Sequence, residues 1–242
     1  MADNFEDVFE KLDEIGEILE IKPVNHVAFI LDCSGSMWNI REKSLWSFNE
    51  QLQSLKKESH DQDTYVTLTM FNDDVDIKYL DKKIDCVEEL KEYNTNGMTA
   101  LYDAIGMTIE KLNPIVKVKE NHSALIFIIT DGYNNPPNDN SRKEIKDKIE
   151  TLEKKGNWTF VFLGANIDVQ EVSVKGMAIN LNNSVSFDSC NAGVEAASET
   201  LTSGIATYYS SRRSGHTQTK NFFSGGGTGD GDGYTGGGSS GD

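Results

Sequence analysis

Cysteine and histidine are scarce in this chain. Its 242 residues include three cysteines (Cys33, Cys86 and Cys190) and four histidines, none at a metal-binding spacing. An odd number of scattered cysteines gives neither a disulfide framework nor a zinc-finger pattern. The cysteine content therefore predicts a reduced protein, and we expect it in the cytoplasm.

Long apolar runs are also missing. The N-terminus has no basic stretch followed by an apolar one, so no secretory signal peptide is expected. The longest apolar runs, such as Val27–Leu31 and Ala124–Ile129, fall far short of the roughly 20 residues that cross a bilayer. We expect no membrane partner.

Basic residues are fewer than acidic residues. The chain has 23 Lys and Arg against 39 Asp and Glu, which gives a formal net charge of −16. Binding to nucleic-acid phosphates needs clustered Lys and Arg, so a nucleic-acid partner is not expected. The acidic excess is sharpest in residues 1–20, which hold eight acids and one base.

Three segments are predicted from pattern and composition. Residues 1–22 form an acidic amphipathic helix, which packs either on its own domain or on a partner. Residues 23–212 form one domain, and residues 213–242 a glycine-rich disordered tail. Phe222 and Phe223 precede the most glycine-rich stretch and are suited to dock the root of the tail on the domain.

The domain is predicted to have an α/β fold. Apolar runs without alternation indicate strands buried on both faces at Asn25–Asp32, His122–Thr130 and Trp158–Leu163. Amphipathic helices at 40–58, 99–112, 141–154 and 190–210 alternate with them, with a short helix near 168–175 and a weak strand near 184–187. Strands Tyr65–Phe71 and Asp74–Leu80 form a hairpin. This order predicts three layers, with a mainly parallel, Rossmann-like sheet, one antiparallel edge strand and helices on both faces.

Side chains that carry oxygen cluster at the predicted strand ends. Asp32, Ser34 and Ser36 follow the first buried strand, Asp131 follows another, and Thr99 opens a helix. The carboxyl ends of parallel strands meet at the edge where open α/β sheets build ligand sites. Hydroxyl and carboxylate oxygens suit Mg²⁺, Mn²⁺ or Ca²⁺ and disfavour zinc and copper. The sequence therefore predicts a divalent-metal site.

Such a site is suited to recognition. Three hydroxyls, with waters held by two carboxylates, would fill the coordination sphere of magnesium. If the carboxylates act mostly through water, the metal keeps much of its charge and seeks one more anionic oxygen. A carboxylate of a partner protein can supply that oxygen.

The set resembles the metal-ion-dependent adhesion site (MIDAS) of von Willebrand factor A domains. That pattern is Asp-x-Ser-x-Ser followed by a separate Thr and a separate Asp, and the resemblance covers about residues 24–210. The runs Gly97–Ile105 and Phe162–Asn166 resemble intracellular bacterial and phage members.

The resemblance implies a role for each residue of the set. Ser34, Ser36 and Thr99 would contact the metal, while Asp32 and Asp131 would hold its waters or contact it in another state. Intracellular relatives often serve as adaptors to larger machines, which implies the same for this chain.

Simpler explanations exist for single residues. Asp32, Ser34 and Ser36 could cap a turn and a helix, Thr99 could be a helix N-cap, and Asp131 could belong to a plain turn. Jointly these explanations are disfavoured. Asp103 is expected to support the helix dipole rather than bind metal, and Cys33 is expected to be packed. Four residues lie just after the loops that carry Ser36 and Asp131, and they would either contact a partner or cover the rim of the core; they are Trp38, Tyr133, Asn134 and Asn135.

The predicted function is binding through a metal rather than catalysis. A phosphatase of the haloacid-dehalogenase type needs Asp-x-Asp at the end of the first strand. Here Ser34 stands in place of the second aspartate. The main alternative is a structural or assembly subunit, for example one encoded by a phage, in which the metal only stabilises the fold. A weaker alternative is a hydrolase with a metal-activated water.

Overall fold

The computed structural model describes residues 22–116, 121–134 and 140–223. The predicted helix at 1–22, apart from Lys22, lies outside these residues, as do Asn135 and the stretch Ser224–Asp242. None of the helices in the described ranges is long and apolar enough to cross a membrane.

Six strands alternate with four α-helices in the described residues. The strands are β1 (Val24–Asp32), β2 (Asp63–Phe71), β3 (Val75–Lys83), β4 (His122–Thr130), β5 (Trp158–Ala165) and β6 (Ser184–Phe187). The helices are α1 (Arg41–Glu58), α2 (Leu101–Val116), α3 (Arg142–Glu153) and α4 (Asn191–Arg213). Short 3-10 turns cover Gly35–Ile40, Ile84–Cys86 and Leu181–Asn183, and a π-helical turn covers Gln170–Lys175.

The sheet confirms the predicted fold class. Its strand order is β3-β2-β1-β4-β5-β6, and every neighbouring pair is parallel except the antiparallel pair β2 and β3. After β1 the chain adds β2 on one side and later β4 on the other. The carboxyl ends of β1 and β4 therefore flank the crevice where the strand order reverses, which is the usual ligand position in such sheets.

Both faces of the sheet are covered, which explains the continuous apolar runs. Phe29 and Leu31 of β1 pack in the layer that contains α1 and α4. Ala28 and Ile30 point the other way, into the layer that contains α2 and α3. Side chains alternate between the faces of a strand, so a strand covered on both sides needs apolar residues at every position.

The chain after α4 packs back on the domain. Phe222 is only 1% exposed, and its ring centroid lies 5.5 Å from that of Phe127 in β4. Its backbone N–H donates to Asn183 Oδ1 at 2.8 Å. Phe222 therefore docks this segment on the sheet, as its position in the sequence predicts, and packed structure continues past residue 212.

A buried arginine ties together the amino-terminal edge of the sheet. Arg212 is 1% exposed, and its Nε donates to Asn25 Oδ1 at 2.8 Å. Its other nitrogens donate to the carbonyl oxygens of Asn121 and His216. One guanidinium thus joins β1, the start of β4 and the end of α4.

Candidate metal centre

Asp32 ends β1 with its carboxylate fixed in place. The residue is fully buried, and Oδ1 accepts a hydrogen bond from the Ser34 backbone N–H at 2.7 Å. Oδ2 accepts one from Thr130 Oγ1, at the end of β4, at 2.5 Å. The Tyr93 hydroxyl donates to the Asp32 carbonyl oxygen. These bonds hold the carboxylate at the carboxyl edge of the sheet, between β1 and β4.

The two serines connect this strand end to Asp131. Ser34 Oγ and Ser36 Oγ lie 3.0 Å apart, and either hydroxyl can be the donor. Ser36 Oγ donates to Asp131 Oδ1 at 2.6 Å. The loop after β1 and the loop after β4 therefore place their oxygens in direct contact.

The third loop brings Thr99 to the same edge. The Gly35 N–H donates to the Gly97 carbonyl oxygen at 3.1 Å, which holds the two loops together. A methyl group built on Gly132 would lie 3.2 Å from Thr99 Oγ1 and 3.8 Å from Asp32 Oδ2. Thr99 is 6% exposed, so its hydroxyl lies inside the loop cluster rather than in open solvent.

Glycine is required at position 97. Its φ is +72°, in the left-handed region where a side chain is strained. A Cβ there would lie 1.8 Å from Asp73 Oδ2. The close approach of this loop to the β2–β3 turn therefore depends on Gly97.

The carboxylates carry negative charge without basic partners. Burial raises the pKa of Asp32 to about 6, although hydrogen bonds from Thr130 and Ser34 partly offset it. Burial also raises the pKa of Asp131, against the hydrogen bond from Ser36. Among residues 22–116, 121–134 and 140–223, no Lys, Arg or His forms an ion pair with either group. A divalent cation would supply the missing positive charge.

The donor set fits a hard divalent cation. Neighbouring oxygens of an octahedral Mg²⁺, each about 2.1 Å from the ion, lie about 3 Å apart. Ser34 Oγ and Ser36 Oγ already have that separation, 3.0 Å. The described residues contain no group of three or more His, Cys, Asp or Glu able to hold a metal. An ion at this edge would therefore depend on the hydroxyls as well as the two carboxylates.

Three other residues considered from the sequence, Asp103, Asn134 and Cys33, make structural contacts near the candidate site. Asp103 Oδ1 accepts from the backbone N–H and side-chain amide of Asn140, at 2.8 and 3.0 Å. Asn134 Oδ1 accepts from the Tyr102 N–H at 3.0 Å, in the first turn of α2. Cys33 is buried, as expected, and burial raises the pKa of its thiol to about 12.

Sequence reasoning assigned no role to several groups that the fold brings together. Thr130 orients Asp32, and the one available signal was its place directly before Asp131. At the opposite edge, His26 Nε2 lies 2.7 Å from His122 Nδ1, while His26 Nδ1 lies 2.6 Å from Asp81 Oδ1. Both histidines lie near the amino-terminal ends of their strands, and their contact carries no sequence signal.

Several solved structures share this fold. Manganese-loaded TRAP protein of Plasmodium vivax has a TM-score of 0.51 at 17% identity, covering 72% of this chain and 71% of that one. Proximal thread matrix protein 1 from the mussel byssus, with a zinc-occupied MIDAS motif, has a TM-score of 0.53 at 19% identity, covering 75% and 45%. The pilus adhesin SpaC of Lactobacillus rhamnosus GG, in its open conformation, has a TM-score of 0.60 at 14% identity, covering 78% and 31%. The chain thus spans about half of the mussel protein and a third of the adhesin.

Comparison by sequence gives a family but no individual relative. No curated protein matches the chain. The model of the von Willebrand factor type A domain family matches residues 26–199, most of the chain. The matched region begins in β1 and ends in α4, and it contains all five predicted metal-site residues. The chain therefore belongs to the von Willebrand factor type A domain family.

Proposed function

We propose that this chain is a divalent-metal-dependent protein-binding module that acts as an adaptor in the cytoplasm. Ser34, Ser36 and Thr99 hold the ion, and Asp32 and Asp131 orient its waters. An Asp or Glu of a partner protein completes the coordination. The supporting observation is the convergence of two carboxylates without basic partners and three hydroxyls at one edge of the sheet.

The charge balance favours an anionic partner. Neutral hydroxyls take up coordination positions without cancelling the charge of the ion. The ion therefore keeps affinity for a further carboxylate, and that affinity is the recognition step. Mg²⁺ is the preferred candidate because every donor is a hard oxygen, with Mn²⁺ and Ca²⁺ as alternatives. Manganese in the Plasmodium protein and zinc in the mussel protein support a divalent ion for this fold.

Binding is favoured over catalysis by the groups at the site. Among the described residues, Asp32 and Asp131 are the carboxylates hydrogen-bonded to the two serines, and these bonds and the one from Thr130 occupy both. A hydrolytic mechanism needs a general base near a bound water. Both carboxylates are already assigned to the ion and its waters.

Metal binding is tested by thermal unfolding in Mg²⁺, Mn²⁺ and EDTA. A ligand at 100 times its Kd stabilises the native state by about 2.7 kcal/mol. That corresponds to a rise in Tm of about 5–10 °C for a domain of this size. Asp131→Ala should abolish the shift. Asp147→Ala should keep it, because Asp147 is an exposed acid paired with Lys143 on α3. An equal shift in both variants would contradict the proposed site.

Partner binding is tested by capture in Mg²⁺ and in EDTA, with Asp131→Ala beside the intact chain. The proposal expects capture only by the intact chain with metal, and loss of binding when one Asp or Glu of the partner becomes Asn or Gln. A structural or assembly subunit would instead show metal-dependent stability without metal-dependent capture. Hydrolysis of model phosphoesters that requires added metal would favour the alternative function, a hydrolase with a metal-activated water.

A further inference from the structure

Three large apolar side chains are exposed around the metal loops. Trp38 is 56% exposed, Met98 41% and Tyr133 60%. Within the described ranges, only four other large apolar residues are exposed to a similar extent, and those lie elsewhere on the domain. We refer to Trp38, Met98 and Tyr133 as the apolar collar.

The apolar collar takes one residue from each metal loop. Trp38 lies two residues after Ser36, Met98 directly precedes Thr99, and Tyr133 follows Asp131 by two residues. The three loops are joined through the bond between Ser36 and Asp131 and the bond from Gly35 to Gly97. The collar residues therefore flank the oxygen donors along all three loops, and their exposed side chains are available to a partner that approaches the ion.

Trp38 is held in place before any partner arrives. The Arg41 guanidinium carbon lies 3.8 Å from the centroid of the indole ring, and Arg41 Nη1 donates to the Trp38 carbonyl oxygen at 2.8 Å. A cation over one ring face fixes the indole and leaves its remaining surface for contact. A preorganised tryptophan beside a polar centre is a common binding hot spot.

The charge near the collar disfavours an acid-rich partner. Asp73 places its carboxylate beside Gly97, next to Met98, and Asp32 and Asp131 lie at the same edge. A carboxylate bound to the ion is compensated by the metal charge. A second acidic residue of the partner, a few positions from the first, would lie near the carboxylate of Asp73 and would have no metal charge to compensate the repulsion.

We propose that this edge recognises a single Asp or Glu flanked on both sides by large apolar side chains in an exposed segment of the partner. The carboxylate binds the ion, and the flanking side chains bury themselves against the apolar collar. This inference rests on the proposed function and specifies the partner of the same site.

Four nine-residue peptides test it by fluorescence anisotropy with the full chain. The first has a central Asp between Phe and Leu residues, and the second the same Asp between Ser residues. The third has Glu residues around the Asp, and the fourth has the apolar flanks around a central Asn. In Mg²⁺ the first should bind at least about tenfold more tightly than each of the others. EDTA should abolish its binding.

Collar variants separate the apolar contact from the metal. Trp38→Ser and Tyr133→Ser should each weaken the binding of the first peptide by about tenfold. Their Mg²⁺-induced rise in Tm should match that of the intact chain. Trp46→Ser is the matched control, because Trp46 is an exposed tryptophan on α1, 39% exposed and outside the metal loops. It should bind the first peptide as the intact chain does.

The outcomes distinguish the two levels of the proposal. Equal metal-dependent binding of the first and second peptides would overturn the role of the collar and leave the metal-bridged carboxylate standing. Equal binding of the Asp and Asn peptides, or equal binding in EDTA, would overturn the proposed function itself. Unchanged affinity of both collar variants would also overturn the collar.

Discussion

The contact between Gly204 and Phe222 makes a strong prediction about how the chain after α4 is fixed. Gly204 lies in the interior of α4, and a Cβ there would lie 2.1 Å from Cε1 of the Phe222 ring. Gly204→Ala alone should destabilise the native state by about 1–3 kcal/mol through overpacking. Phe222→Ala alone should cost about 3–5 kcal/mol, because the ring is fully buried.

The double variant gives the sharper result. Once Phe222 is alanine, the space beside Gly204 is free, and Gly204→Ala should stabilise α4 by about 1 kcal/mol. The same substitution thus changes sign between the two backgrounds, and the coupling is about 2–4 kcal/mol. The free energy of unfolding is measured by urea denaturation followed by circular dichroism.

A control and a contradictory result are available from the same series. Phe223→Ala removes a neighbouring ring that is only partly buried, so it should cost less than Phe222→Ala. If Gly204→Ala has the same effect with and without Phe222, the ring does not occupy the space beside α4. A cost below about 1 kcal/mol for Phe222→Ala would likewise refute the docked position.

Three further predictions concern the site, the pH dependence and the amino-terminal edge. Thr130→Val removes the donor to Asp32 and should weaken Mg²⁺ affinity by about 10–100-fold in calorimetric titration, while Thr130→Ser should restore it. Burial raises the pKa of Glu153 to about 7, so its contribution to stability is present below its ordinary pKa and is lost as pH rises through 7. Glu153→Gln should therefore gain stability relative to the intact chain at pH 8 but not at pH 4 in urea denaturation. Arg212→Lys cannot reach the same oxygens and should lower the free energy of unfolding by about 2 kcal/mol or more in guanidinium denaturation.

Local pattern was enough to predict most of the described elements. His122–Thr130 and Ser184–Phe187 have the predicted bounds, and the fold class follows from the alternation of strands and helices. The helix predicted from residue 99 begins instead at Leu101. The Ala100 N–H donates to the Asn72 carbonyl oxygen at 2.7 Å, a contact with the β2–β3 turn that no helical pattern reports.

That the loops of Asp32 and Asp131 meet was predictable, because each of these loops follows a recognisable strand. Asp32 and Asp131 stand at strand ends, and topology alone brings such ends to one edge. The contacts that orient them were not predictable. Thr130 meets Asp32 across 98 positions, and His26 meets His122 across 96. Such pairs depend on strand order and register, which the periodicity of one segment does not encode.

The position of β1 also sets how force would pass through the domain. The strand begins at the amino edge, beside Lys22, and reaches the metal edge at Asp32 in nine residues, or about 30 Å. It is hydrogen-bonded to β2 on one side and to β4 on the other. A force applied between a metal-bound partner and the chain before Lys22 would therefore act along β1. It would load the hydrogen bonds to β2 and those to β4 in shear. Hydrogen bonds loaded in this way must break together rather than one at a time, so the link between the two ends is stiff along its whole length.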